Sequence, residues 1–104
     1  MIFVETSIFT REIRRLLSDD EYRVLQKALM FRPDAGAVIP GGSGLRKVRW
    51  SLPGRGKRGA LRIIYFWVPP ETIYMLLPFK KTEQDDLTPE QLRILRGVVR
   101  EWLS

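Results

Sequence analysis

Neither cysteine nor histidine occurs among the 104 residues of this sequence. Without cysteine, disulfide bonds and thiolate metal sites are excluded. Without histidine, the chain lacks the usual general base near neutral pH and the commonest metal ligand. A metal site would need carboxylates alone, and the sequence has no suitable cluster of them, so we expect neither a metal nor another cofactor.

Long apolar runs are also missing, because no stretch approaches the roughly 20 residues that span a bilayer. The first residues, MIFVETSIF, lack the basic start and long apolar core of a signal peptide. We therefore expect a soluble cytoplasmic protein with no membrane partner. The length fits one domain over residues 1–104, and 44% hydrophobic residues is typical of a globular protein.

Acidic residues are absent between Asp34 and Glu71. Seven basic residues fall in that stretch: Arg46, Lys47, Arg49, Arg55, Lys57, Arg58 and Arg62. With 18 Lys and Arg against 12 Asp and Glu, the net charge of +6 attracts polyanions such as nucleic acid, an acidic protein or an anionic membrane surface. A solvated basic face is the alternative. Because unpaired like charges at this density repel one another, we favour an anion-binding surface.

Hydrophobic periodicity predicts an α+β fold with a mainly antiparallel sheet. An N-terminal strand and two helices come first, followed by a three-stranded antiparallel meander and a C-terminal helix. The predicted strands cover 2–5, 45–52, 60–68 and 73–79; the helices cover about 8–17, 19–31 and 89–102. Residues 34–44 are predicted to form a loop.

Capping signals define the helix ends. Ser18 and Glu21 match a capping box, and the helix that follows should end near Phe31. Thr88 and Gln91 supply the same pair of groups for the last helix. We therefore expect sharp helix starts at both places.

The strand over 45–52 alternates, with Lys47 and Arg49 on one face and Val48 and Trp50 on the other. If the hairpin register follows this alternation, Arg62 should project on the face of the two cations. Such a face would suit phosphate, since arginine is a bidentate phosphate ligand and lysine a mobile point charge.

The glycines of GRGKRG, residues 54–59, formally match the GxGxxG pattern. A dinucleotide site needs a strand before this pattern and a helix after it. Here the pattern lies between two predicted strands, which excludes that function. We favour a flexible hairpin loop that approaches a phosphate chain, and a plain turn is the alternative.

Aromatic residues are concentrated on the two strands that follow this loop. Most are expected in the core, but aromatic rings among cations are also the usual means of stacking on the bases of single-stranded RNA. Tyr65 and Phe79 are the candidates, the latter beside Lys80 and Lys81. For each ring a core position is the alternative.

The same segments resemble a known family. GLRKVR at 44–49, GKRG at 56–59 and LRIIYF at 61–66 are similar to the core signature of the RelE/HigB toxins. FKKTE at 79–83 and DDLT at 85–88 resemble the family's ending. The nearest branch of the RelE/ParE superfamily is that of HigB toxins, whose gene lies beside that of a helix-turn-helix antitoxin.

This resemblance implies a RelE-like fold and a metal-independent, ribosome-dependent endoribonuclease of a type II toxin-antitoxin system. In the family the ribose 2′-hydroxyl attacks the adjacent phosphate of mRNA, which inhibits translation and arrests growth. The positions that match the family's catalytic cations are Lys47, Arg49, Arg62 and Lys81. Lys47 or Arg49 would help to deprotonate the 2′-hydroxyl. Of the two, the lysine is favoured as the base, because neighbouring cations make a lysine easier to deprotonate. The other two would stabilise the phosphorane.

The expected RNA-binding residues are Arg46, Arg55, Lys57, Arg58, Tyr65, Phe79 and Lys80. The implied partners are the ribosome, mRNA and a HigA-like antitoxin encoded by the adjacent gene, with operator DNA bound only through the antitoxin complex. One departure concerns a tyrosine that follows the late basic residue in relatives. Leu87 is nearest to it here, so that role is vacant or belongs to Tyr65 or Glu83.

Two other functions fit the sequence. ParE-like toxins share the fold but inhibit DNA gyrase and usually lack the full set of catalytic cations. A non-catalytic basic RNA-binding module would have the affinity without the cleavage.

Overall fold

The structure, a computed structural model, describes residues 1–52, 54 and 59–103. These residues form three helices and a five-stranded mixed sheet, which confirms the α+β class. The strands are β1 (Ile2–Glu5), β2 (Ala37–Val38), β3 (Arg46–Ser51), β4 (Ala60–Val68) and β5 (Thr72–Lys80). The helices are α1 (Ser7–Leu16), α2 (Asp19–Phe31) and α3 (Pro89–Leu103). None of them is long and apolar enough to cross a membrane.

The sheet has the strand order β1-β5-β4-β3-β2. β3 pairs with β4, and β4 with β5, in antiparallel fashion, whereas β1 runs parallel to β5. The short β2 lies in the stretch that was expected to be a loop and pairs with Arg46 and Lys47. Both of its residues are exposed, so no alternation of apolar and polar residues could have revealed it.

The predicted capping boxes are confirmed at α2 and α3. The Ser18 hydroxyl accepts from the Glu21 N–H at 3.1 Å, and the Glu21 carboxylate accepts from the Ser18 N–H at 2.8 Å. At α3, Thr88 and Gln91 exchange the equivalent bonds at 3.1 and 3.0 Å. α2 ends at Phe31, as expected. These bonds satisfy N–H groups that the first turn of a helix leaves unpaired.

Apolar side chains form a core on each face of the sheet. The first cluster packs α1 and α2 against one face and includes Phe9, Leu25, Leu29, Ile63, Tyr65 and Met75. The second packs α3 against the other face and includes Leu45, Ile64, Leu76, Phe79, Leu95 and Val99. The central strands β4 and β5 are therefore covered on both sides.

Candidate functional site

Three of the predicted catalytic cations share the α3 face of the sheet. The register sets Arg49 opposite Arg62, and Lys47 opposite Ile64. On the other side of β4, Arg62 lies opposite Phe79. Because cross-strand partners project on the same face, and Ile64 and Phe79 belong to the α3-side cluster, the three cations project there too. The register thus agrees with the alternation predicted from the sequence.

Arg62 is the most unusual of the three because only 6% of its surface is exposed. Its one side-chain hydrogen bond to the described residues is a long contact, 3.4 Å, from Nη1 to the Leu61 carbonyl. Its cross-strand neighbour Arg49 is exposed and forms neither an ion pair nor a hydrogen bond within the described ranges. Like charges directly opposite each other on a sheet are destabilising. The pair therefore creates a site that an anion would stabilise.

A carboxylate lies beside this group. Asp86, in the loop between β5 and α3, forms an ion pair with the Lys47 Nζ at 3.2 Å and accepts a hydrogen bond from the Leu87 N–H at 2.9 Å. The Leu87 hydrogen bond, with the weaker effects of Lys47 and Arg62, lowers the pKa of Asp86 against a smaller opposing effect of burial. The sequence analysis did not identify Asp86 as part of the site. Its only signal was an acidic pair that follows the basic pair at 80–81.

An open cleft of about 480 Å³ adjoins the cations. Its volume lies within the range of small-ligand sites. The lining residues are Ala35, Ala37, Val38, Ile39, Pro40, Lys47, Val48, Arg49 and Asp86. Residues 35–40 around β2, three residues of β3 and Asp86 contribute to this lining, so a ligand in the cleft would contact Lys47 and Arg49 together.

Lys80 is the last residue of β5, and Lys81 follows it. Both lie beside the first residues of β4, which runs antiparallel to β5. Lys80 is opposite Leu61, and the Lys81 N–H donates to the Ala60 carbonyl at 3.1 Å. The Lys81 side chain is exposed, and neither lysine forms an ion pair in the part of the chain that the structure describes. Lys81 therefore lies at the end of β4 where Arg62 lies, whereas Lys80, opposite Leu61, projects on the α1 and α2 face of the sheet, a placement that does not support its expected part in RNA binding.

Tyr65 and Phe79 are not exposed for base stacking, so the core alternative is correct for both. Tyr65 is completely buried, and its hydroxyl accepts from the Gly36 N–H at 2.8 Å and donates to the Pro33 carbonyl at 2.7 Å. Burial raises the pKa of this phenol. Phe79 is 5% exposed and packs in the α3-side cluster. A ring that fills the core has no free face for a base.

Arg46 lies apart from the other cations. It is opposite Tyr65 and therefore on the α1 and α2 face of the sheet. Its Nη1 donates to the carbonyls of Gly36 at 2.8 Å and Asp34 at 3.4 Å. In this position the guanidinium holds the segment before β2 against β3, and the RNA-binding role expected for it is not supported by this placement.

The remaining predicted site residues are three cations and the two candidates for the role of the missing tyrosine. Arg55, Lys57 and Arg58 lie outside the described residues, so their part in RNA binding stays a prediction. Of the candidates for the missing tyrosine, Tyr65 is buried and Glu83 forms an ion pair with Arg15 of α1 at 3.7 Å. Neither placement supports a catalytic role for the two residues.

The described ranges contain no group of three or more Asp or Glu side chains that could hold a metal ion. A comparison with models of known protein families found no match for this chain. The chemistry of the site therefore has to be argued from its own side chains. These are two arginines and a lysine on one face, with the carboxylate of Asp86 and the lysine Lys81 beside them.

Proposed function

We propose that this protein is a RelE/HigB-like toxin that cleaves mRNA on the ribosome. The observation that carries the proposal is the like-charged pair of Arg49 and Arg62 on the same face as Lys47. A repulsive cross-strand pair that includes a nearly buried arginine is best accounted for if a phosphate neutralises it. Segments 44–49, 61–66 and 79–83 resemble the RelE/HigB signature, and this resemblance implies a RelE-like fold. It also points to RNA as the source of that phosphate.

The proposed reaction transfers the phosphoryl group within the RNA chain. The 2′-oxygen bonds to the adjacent phosphorus, and the bond from phosphorus to the 5′-oxygen breaks. The products of this step are a 2′,3′-cyclic phosphate and a 5′-hydroxyl, whose oxygen takes up a proton. Addition of water to the cyclic phosphate, with cleavage of its bond from phosphorus to the 2′-oxygen, then gives the 3′ phosphate. Arg62 and Lys81 would stabilise the negative charge of the phosphorane, which is usually the largest catalytic contribution.

The ion pair with Asp86 bears on the part that Lys47 would play. Its role as the base was argued from crowding by cations, yet its closest charged partner among the described residues is the carboxylate of Asp86. A part in binding the phosphate is therefore better supported for Lys47 than a part as the base. Which group takes the 2′-hydroxyl proton is best determined from the pH dependence of the Lys47→Gln variant.

Cleavage of a defined message is the decisive experiment. Primer extension should reveal cuts in the message when translating ribosomes are present. Cuts on free RNA alone would remove the ribosome from the proposal. If the protein cut no RNA but inhibited the supercoiling of DNA by gyrase, the ParE-like alternative would be correct. If it bound RNA but cut it neither on ribosomes nor free in solution, the non-catalytic module would be correct.

Growth assays test the proposed antitoxin. Expression of the protein alone should arrest growth, and co-expression of the product of the adjacent gene should restore it. Operator DNA should shift in a gel only when both proteins are present. Normal growth at a high level of folded protein would contradict the assignment as a toxin.

A further inference from the structure

The carboxylate of Asp86 occupies the position in the site where an anionic ligand would be expected. Its Oδ1 atom lies 3.2 Å from the Lys47 Nζ, and the charge of Arg62 also acts on it. The same oxygen accepts the Leu87 N–H at 2.9 Å. A phosphate oxygen could accept the lysine bond in the same way, since both are charged oxygen acceptors.

The two partners of this ion pair differ in exposure, so that another anion could take the place of the Asp86 carboxylate at Lys47. The Asp86 side chain is 63% exposed, whereas that of Lys47 is 21% exposed. An ion pair with one partner in solvent contributes little to stability. The carboxylate can therefore leave at the cost of this weak ion pair and of its hydrogen bond to the Leu87 N–H, while the lysine stays at the site.

Hydrogen bonds from the Gln84 side chain connect the loop around Asp86 to the start of α3. The Gln84 side chain donates to the Asp86 carbonyl at 2.9 Å and to the Gln91 side chain at 2.9 Å. Gln91 in turn belongs to the capping box of α3. The backbone of Asp86 is thus fixed relative to α3, and only the side chain needs to rotate for an exchange.

We propose that Asp86 is an exchangeable internal anion that sets a threshold for ligands of this site. A ligand with a single phosphate would only replace one anion by another at Lys47. A phosphodiester chain would replace it and also gain contacts with Arg49 and Lys81, which have no anionic partner among the described residues. The site would therefore select a nucleic-acid strand over small phosphates. This inference rests on the proposed function and names what restricts its substrate.

The test compares Asp86→Asn with Asp85→Asn. The asparagine keeps the oxygen that accepts the Leu87 N–H but loses the charge that faces Lys47. Asp85 is exposed, forms no side-chain hydrogen bond or ion pair with the described residues, and its substitution removes the same charge from the neighbouring position. The probes are inorganic phosphate and a short 2′-O-methyl RNA, which cannot supply the attacking hydroxyl, and both are titrated by calorimetry.

We expect Asp86→Asn to bind both probes about two- to fivefold more tightly than Asp85→Asn does. In a Lys47→Gln background this gain should shrink, because the pair that competes with the ligand is already absent. Equal affinities for the two asparagine variants, or a weaker Asp86→Asn, would overturn the proposal. So would a hundredfold loss of cleavage at unchanged affinity, which would make Asp86 a catalytic group.

These outcomes are separate from failure of the proposed function. If the wild type bound no RNA, the nucleic-acid function would be wrong, yet a gain in phosphate affinity specific to Asp86→Asn would still support the internal anion. If the wild type bound and cut RNA while both variants matched it, the function would stand and the internal anion would not. Circular dichroism melts establish that both variants are folded.

Discussion

Arg62 is a charged side chain with 94% of its surface removed from solvent and no ion pair among the described residues. Burial of a charge is costly unless a partner compensates for it. Arg49 opposite it adds repulsion, and Asp86 compensates in part through its effect at a distance. A residue kept under these conditions is a strong candidate for a role in function, since an apolar residue would pack there at lower cost.

Replacement of Arg62 by alanine should reduce cleavage by a factor of about 10²–10³, because one preorganised contact with the phosphorane is lost. The measurement is single-turnover cleavage of ribosome-bound message. Lys47→Ala should behave similarly. Arg11→Ala is the control, because Arg11 is exposed on α1 and should leave the rate unchanged. If folded Arg62→Ala cuts as fast as the wild type, the site assignment is incorrect.

Tyr65→Phe tests whether this tyrosine is structural. The change keeps the ring but leaves the buried Gly36 N–H and the Pro33 carbonyl without their partner, which should cost about 1–3 kcal/mol of the free energy of unfolding. Affinity for RNA should not change. Tyr74→Phe is the matched control, because Tyr74 contributes a ring contact with Trp102 and should lose under about 0.5 kcal/mol. Unchanged stability of Tyr65→Phe in urea would contradict the assigned hydrogen bonds.

At the scale of the elements, glycine is required in the turn before β3 but not in the middle of α3. Gly44 has φ +98°, and a Cβ there would lie 2.7 Å from the Phe66 ring. Gly97 is within α3, and a Cβ there meets nothing within 4 Å. The first glycine is therefore required by the backbone and its neighbour, whereas the second only weakens a helix.

Gly44→Ala should lower the free energy of unfolding by about 1–3 kcal/mol, because alanine rarely adopts this backbone conformation. Gly97→Ala, the same change in a helix, should raise it by about 1 kcal/mol through better helix propensity. Urea denaturation measures both. Two changes of the same sign would show that the turn or the helix is assigned incorrectly.

At the scale of the whole molecule, the net charge of +6 should make RNA binding strongly dependent on salt. The slope of log affinity against log salt concentration should be roughly −0.7 for each phosphate neutralised. Arg49→Ala should therefore make the slope shallower by roughly 0.7. Arg11→Ala, which removes the same charge from an exposed position of α1, on the other face of the sheet, should leave the slope nearly unchanged. A flat response for the wild type would exclude the basic strands as the binding surface.

Local patterns in the sequence determined much of the fold. The capping boxes at Ser18 and Thr88 fixed two helix starts, because a cap involves groups only three residues apart. Alternation in β3 correctly separated Lys47 and Arg49 from Val48 and Trp50, since side chains on a strand point to opposite faces in turn. Both features depend on neighbours along the chain, so no tertiary information was needed.

Tertiary structure alone decided the features that join distant residues. The pairing of Lys47 with Asp86 spans two strands and a loop, and the burial of Tyr65 and Phe79 depends on which helix covers each face of the sheet. The parallel addition of β1 to β5 likewise brings together residues that are 70 positions apart, such as Ile2 and Thr72. No periodicity encodes such contacts, because their energy comes from packing and charge across the sheet rather than from the spacing of residues in the sequence.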